Sequence, residues 1–321
     1  MHTISPRRAA SPAPRKRTAA VGIAAIACLA AAACSSSGSS TSSSSANPLA
    51  PKATGAVVVG SANFPEDELL AQIYVDALQG KGVKVTPKFN IGAREVYYPQ
   101  IEKGAITIIP EYNGALLTTS VDPTSTATST AQVNAALTAK LPSSLKILNS
   151  APAQDKDSIT VTQATATKYH LTSISDLSPY AKDFVIGGPP EFTTRADGLP
   201  GLKKIYGLTF KSFSPLDESG PITIAALQSG KVQAADVFTT TPQIITDHFV
   251  SLSDPKDLFA AQNVTPLVYK SGVNSTIEST LNSVSAVLTT EALLQMDKAL
   301  TVDHASYTQV ASGFLSQEGL K

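Results

Sequence analysis

Tryptophan is absent from the 321 residues, methionine and cysteine occur twice each, and histidine only four times. Each shortage closes off a chemistry. His2, His170, His248 and His304 are scattered, with no companion ligands at metal spacing, so the sequence argues against a metal site or a histidine-centred acid–base pair. There is no G-x-S-x-G elbow, no P-loop, no G-x-G-x-x-G and no H-E-x-x-H. The expectation is a protein that is not an enzyme and carries no cofactor or metal. No basic stripe with interleaved aromatics runs along the chain, which argues against nucleic acid as a partner. The longest apolar run, Ala19–Ala33, is shorter than the roughly 20 residues a membrane-spanning helix needs.

That run has a different meaning. Arg7, Arg8, Arg15, Lys16 and Arg17 precede it, and Ala31-Ala32-Ala33-Cys34 closes it. A basic segment, an apolar core and small residues before a cysteine form a secretory signal, and the cysteine makes it similar to the lipobox of bacterial lipoproteins. Residues 1–33 are therefore expected to be removed, and Cys34 to carry lipid and tie the protein to the bilayer outside the cytoplasm. Residues 34–54, nearly all serine up to Ala46, cannot bury apolar surface and are expected to be a flexible tether. Cys28 leaves with the leader, so the globular part contains no disulfide. The formal charge of zero is then deceptive. Loss of the five leader cations leaves 20 basic against 25 acidic residues, a mildly acidic protein at −5.

From residue 55 the pattern alternates. Val57-Val58-Val59 reads as a strand, Pro65-Glu66-Asp67-Glu68 opens a helix with acids suited to its N-terminal dipole, and Gly80 and Gly82 stop it. Strand Val83–Phe89, helix Glu95–Lys103 and strand Ile106–Ile109 follow, which predicts an α/β unit on a parallel sheet. A surface connection over 120–135 leads into a helix around Gln132–Lys140. Strand Ile159–Val161 restarts the alternation, continued by Phe184–Ile186, helix Thr223–Gln228 and strand Val232–Phe238. Beyond Val268 the chain is helical: Ile277, Leu281, Val284 and Leu288 share one face, Leu293, Met296 and Leu300 another, and Tyr307, Val310 and Phe314 a third. Periodicity leaves open whether the two α/β units are separate domains or hinged lobes.

Aromatic residues sit in loops at strand ends beside glycine and proline: Phe64, Tyr97, Tyr98, Tyr112, Phe192 and Phe238. Such loops gather where open α/β sheets bind ligands, and aromatic faces can enclose a cation through the ring quadrupole. The competing reading, equally weighted for any one residue, is that each ring packs beneath its own loop.

Six segments carry a family resemblance. They are Gly60-Ser61-Ala62-Asn63-Phe64-Pro65-Glu66, Arg94-Glu95-Val96-Tyr97-Tyr98-Pro99, Pro110-Glu111-Tyr112-Asn113-Gly114, Pro190-Glu191-Phe192-Thr193-Thr194-Arg195, Asp236-Val237-Phe238-Thr239-Thr240 and Gln262-Asn263-Val264-Thr265-Pro266. In this order the chain resembles the substrate-binding proteins of osmoprotectant ABC importers. The resemblance implies an α/β, two-lobed periplasmic-binding-protein fold (type II, Venus flytrap). It implies lobe one from 55–154 plus 265–321, lobe two from 155–264, and a ligand held between them for delivery to the membrane subunits of an ABC permease. It places an aromatic box on Tyr98, Tyr112, Phe192 and Phe238, with Asn63, Phe64, Asn113 and Thr239 beside it. Arg195 matches a position that can anchor a ligand carboxylate, and a surface salt bridge to Glu191 or Asp197 is the rival use. Four positions depart from the family. Ala62 stands where lysine is common and Asn113 where threonine is, and both positions help hold a betaine carboxylate. Phe192 and Phe238 stand where tyrosine is frequent. The expected ligand is a quaternary ammonium osmoprotectant, choline or a betaine. The alternatives are an apolar or aromatic compound on the same scaffold, or a cell-envelope enzyme, for which no catalytic dyad presents itself.

Overall fold

The computed structural model describes residues 56–321. The expected signal peptide, the lipidated Cys34 and the tether lie outside the described residues. Ten short strands follow in chain order: β1 (Val57–Gly60), β2 (Val85–Lys88), β3 (Ile108–Tyr112), β4 (Leu145–Ile147), β5 (Ile159–Thr162), β6 (Val185–Gly188), β7 (Ser212–Pro215), β8 (Ala234–Asp236), β9 (Phe249–Ser251) and β10 (Val264–Tyr269). They form two five-stranded sheets, ordered β2-β1-β3-β10-β4 and β7-β6-β8-β5-β9. Each sheet has its own buried core, so the architecture is a two-lobed α/β fold.

The sheets are mixed, which corrects the expectation of a parallel sheet. β2, β1 and β3 run parallel, whereas β10 is antiparallel to both β3 and β4. In the second sheet β7, β6 and β8 are parallel and β5 is antiparallel to β8 and β9. The reversal follows from the path of the chain. β10 enters the first sheet from the second, and its six residues are buried but for Tyr269. Within that pairing Pro266 lies opposite Pro110. Proline lacks an N–H, so two facing prolines fit only at a position where neither backbone donates to the other. On its other side the Pro266 carbonyl accepts from Leu148 N at 2.9 Å.

The helix Pro65–Gly80 begins with proline in its first turn and buries ten of its sixteen residues. It packs against β1 to β3 on one side and against the helices Ser275–Val287 and Tyr307–Gln317 on another. Burial on two sides explains why its apolar residues spread beyond one stripe. The C-terminal helices thus complete the core of the first sheet. Their starts are fixed by caps: Asn274, Thr289 and Ser306 each accept a hydrogen bond from the backbone of the first turn.

The chain crosses between the sheets near Gln154–Asp155 and again near Gln262–Asn263. The crossings lie side by side. Asp155 N donates to Gln262 O at 3.2 Å, Val264 N donates to Ala153 O at 3.1 Å, and the Gln262 amide pairs with Asp157.

Two glycines test this packing with opposite signs. A β-carbon on Gly198 would stand 2.0 Å from the carbonyl oxygen of Phe192, so Gly198→Ala must move backbone. Gly313 is exposed within the last helix, and nothing lies within 4 Å of its β-carbon position. Thermal unfolding should show Gly198→Ala destabilised by about 1–3 kcal/mol and Gly313→Ala stabilised by about 0.5–1 kcal/mol.

Candidate functional site

Between the sheets lies a narrow cleft. Lobe one supplies Ala62 and Phe64 from the loop after β1, Arg94 and Tyr97 from the helix Arg94–Glu102, and Tyr112 from the end of β3. Lobe two supplies Phe192, Arg195 and Asp197 from the turn after β6, Glu218 after β7, and Phe238 after β8. Asp155, Asp157 and Gln262 line it from the crossing segments. Phe64 forms the centre of the aromatic wall, with its ring 5.9 Å from Tyr112 and 5.2 Å edge-on from Phe238.

The wall rests on a buried ion pair. Arg94 is 7 % exposed and Glu111 fully enclosed, and the guanidinium meets the carboxylate through Nε at 3.1 Å and Nη2 at 3.0 Å. Tyr97 Oη donates to Glu111 at 2.8 Å and Tyr112 N at 3.2 Å, so both tyrosines are oriented by one carboxylate. The Tyr112 hydroxyl donates to Glu66, whose second oxygen accepts from Thr240 Oγ1 at 2.6 Å. Glu66 belongs to lobe one and Thr240 to lobe two. Two further bonds cross the cleft: Arg195 grips Glu95 with two contacts of 3.1 Å, and Thr118 Oγ1 donates to Asp197 at 2.8 Å. The lobes are therefore closed on each other.

Negative charge dominates. Four carboxylates line the cleft against two arginines, and both arginines are already paired. Burial raises Glu66 and Asp155 well above the ordinary carboxylate range, with Asp297 adding repulsion to Glu66 and Glu66 to Asp155. Burial also raises Asp197 and Glu218, Asp157 adding to the first, while Arg195 and Arg94 pull Glu218 partly back. Asp297, within hydrogen-bonding reach of Glu66, is pushed up to about 7 by burial. Glu218 Oε2 and Asp297 Oδ1 are enclosed without a partner. These are acids held together in a dry space with too few cations.

Of the residues singled out in the sequence, Phe64, Tyr112, Phe192, Phe238 and Arg195 come together around the cleft. Tyr98 does not line it. It is half-buried against the first core, and its neighbour Tyr97 faces the cleft. Asn63 and Thr239 are exposed. Asn113 is fully buried behind the wall, where its side chain accepts from Asn263 N and Gly114 N at 2.8 Å and donates to Asn134 at 2.7 Å. It braces β3 against the crossing segment. Arg195 pairs across the cleft with Glu95, rather than with Glu191 or Asp197. The residues that sequence reasoning passed over are the charged ones: Arg94 and Glu111, inside motifs weighed only for their tyrosines, and Glu66 and Asp67, assigned to the helix dipole. Asp67 does serve that helix start, accepting from Ala62 N at 2.5 Å, yet both acids are buried.

A two-lobed α/β protein whose lobes close over a cleft lined from both sides has the form of a solute-binding protein. Comparison with known proteins specifies the class. Residues 55–317 match the family described as the substrate-binding domain of the ABC-type glycine betaine transport system, and the chain belongs to that family. It is 31 % identical over 281 residues to the glycine betaine-binding protein YehZ of Escherichia coli K12, covering 84 % of this chain and 92 % of the relative. The solved apo structure of YehZ from Escherichia coli aligns at a TM-score of 0.57 and 30 % identity, over 83 % of this chain and 99 % of that one. A crystal structure titled as a glycine betaine/carnitine/choline ABC transporter aligns at 0.63 and 21 % identity, over 82 % and 99 %. The protein is thus the extracytoplasmic substrate-binding component of an ABC importer, not an enzyme.

The buried acids give the unliganded protein a definite pH response. A carboxyl whose folded pKa is raised stabilises the fold below its unfolded value, about 4, and loses that contribution as pH rises through the folded one. For Asp297 the loss runs from about pH 4 through about 7, with Glu66 and Asp155 shifted in the same direction. The melting temperature without ligand should therefore fall between about pH 5 and 8. Differential scanning calorimetry across that range checks it, and a rising melting temperature would contradict the assignment.

Proposed function

We propose that the protein is a lipid-anchored receptor that captures a quaternary ammonium cation lacking a carboxylate, choline being the simplest, and presents it to the permease. The observation that carries this reading is the charge balance of the cleft. A betaine needs a free cationic side chain for its carboxylate. Arg94 is charge-paired with Glu111, Arg195 with Glu95 and, at 3.7 Å, Glu218, and Ala62 stands where a lysine would serve. A quaternary ammonium needs only aromatic faces and negative charge. Phe64, Tyr112, Phe192 and Phe238 provide the faces, with Asp155, Asp157, Asp197 and Glu218 around them.

In this reading Tyr112, Phe192 and Phe238 form the box, Tyr97 takes the place expected of Tyr98, and Arg195 acts as a latch between the lobes. Lobe one is 55–154 with 265–321 and lobe two is 155–264, a division supported by the membership of the two sheets. Ligand contacts on both walls favour the closed arrangement, which the permease reads. Acylation of Cys34 and the serine-rich tether keep the receptor at the membrane.

Titration calorimetry of the full-length chain should show choline binding more tightly than glycine betaine. Phe192→Ala should weaken choline by about 1–2 kcal/mol, the loss of one cation–π face in a desolvated site. Thermal stabilisation by a neutral aromatic compound, with none from any quaternary amine, would overturn the assignment.

A further inference from the structure

Behind the Phe64–Phe238 wall lies a second, larger groove. It too is lined from both lobes: by Pro65 and Glu66 and the segment from Asp297 to Tyr307 on one side, and by residues between Glu218 and Asp247 on the other. Phe64, Phe238 and Glu218 line both spaces, the two phenylalanine rings meeting edge-on between them. The capture of a small cation by the first cleft makes no use of this space.

The lining has a distinct chemistry. Ile224, Leu300 and Val302 give it apolar walls, and Val302, at its rim, is 37 % exposed. Glu66, Glu218, Asp247 and Asp297 give it carboxylates, and no lysine or arginine is among the lining residues. Asp297 is 4 % exposed and within hydrogen-bonding reach of Glu66, while its enclosed Oδ1 takes no donor from the protein. A buried carboxylate oxygen without a donor costs free energy until a donor arrives. An ammonium group brings both a donor and the opposite charge, and an alkyl arm behind it would cover the apolar walls.

We propose that this groove is a second ligand site, taking an organic ammonium ion with an apolar chain, its head against Asp297 and Glu66 and its chain along Ile224, Leu300 and Val302. Because both lobes line the groove, an occupant joins them as the cleft ligand does. The shared phenylalanine wall separates the two ligands, so both bind at once.

The test uses the full-length chain and n-hexylammonium, titrated by calorimetry with and without saturating choline. The expected result is one equivalent bound in either condition. Val302→Trp, which fills the mouth from an exposed position, should weaken hexylammonium by about tenfold or more while leaving choline unchanged. Asp297→Asn should weaken hexylammonium to a similar degree by removing the charge. Phe192→Ala, in the other cleft, should leave hexylammonium within roughly threefold. Displacement by choline, an undiminished affinity in Val302→Trp, equal binding of n-hexanol, or no binding to the wild type would each overturn the proposal. Hexylammonium is read without choline as well, so a failure of choline to bind is a separate result.

Discussion

Arg94 and Glu111 compensate each other's charge in a site closed to solvent, and the first wall of the cleft depends on that pair. Glu111 sits on β3 with no solvent contact, and every polar contact it makes is internal. Removing one partner of such a pair leaves an uncompensated charge, typically a cost of about 3–5 kcal/mol. The pair also sets direction. One oxygen of Glu111 takes the Tyr97 hydroxyl, the other the Tyr112 backbone, and Tyr112 passes the constraint to Glu66 through its own hydroxyl. From Glu66 the chain of bonds reaches Thr240 in the other lobe. A single continuous polar network therefore links the sheet of lobe one to the far wall of the cleft.

The same network decides what the cleft can hold. An arginine facing a binding site usually signals an anionic ligand group, but a guanidinium already gripping a carboxylate has little left to offer. With both arginines engaged, the cleft carboxylates outweigh them, and burial makes Asp155, Asp197 and Glu218 reluctant to ionise. In the proposed reading, a bound cation would offset that reluctance by supplying the missing charge. Closure and charge compensation are then one event.

Much of the fold was legible because it rests on local signals: Pro65 at a helix start, the apolar faces of the last three helices, the alternation of strands and helices. What was not legible depends on pairing across long separations. β4, β7 and β9 have three or four residues each and lie at sheet edges, too short for periodicity to mark. The antiparallel course of β10 follows from a return crossing some 150 residues after β3, which no local pattern encodes. The aromatic part of the cleft could be read from loops at strand ends. Its charged part could not, because Glu66, Arg94 and Glu111 look in sequence like ordinary helix and strand residues. Tyr97 and Tyr98 show the limit most clearly: adjacent tyrosines on a helix point about 100° apart, so a one-residue ambiguity in matching a motif exchanges a cleft wall for a half-buried flank.

The crossing segments explain why such a network suits a hinge. Asp155 pairs through its backbone with Gln262, and Val264 with Ala153, so the two connections move as one ribbon rather than as independent strings. Asn113 fastens that ribbon to the end of β3, directly beside Tyr112. Rotation of lobe two about the ribbon would break the Arg195–Glu95, Thr118–Asp197 and Thr240–Glu66 contacts together, while the Arg94–Glu111 pair, internal to lobe one, would stay intact. The lobe-one wall would thus keep its internal bonds in both arrangements, and of the bonds given up on opening the Arg195–Glu95 pair is exposed while Thr240–Glu66 is buried. Arg195 and Glu95, on the rim, exchange protein for water at small cost. Thr240 leaves Glu66 to Tyr112 and solvent. A receptor whose permanent bonds lie within a lobe and whose exchangeable bonds lie between lobes can release its ligand without disturbing the site that recognised it.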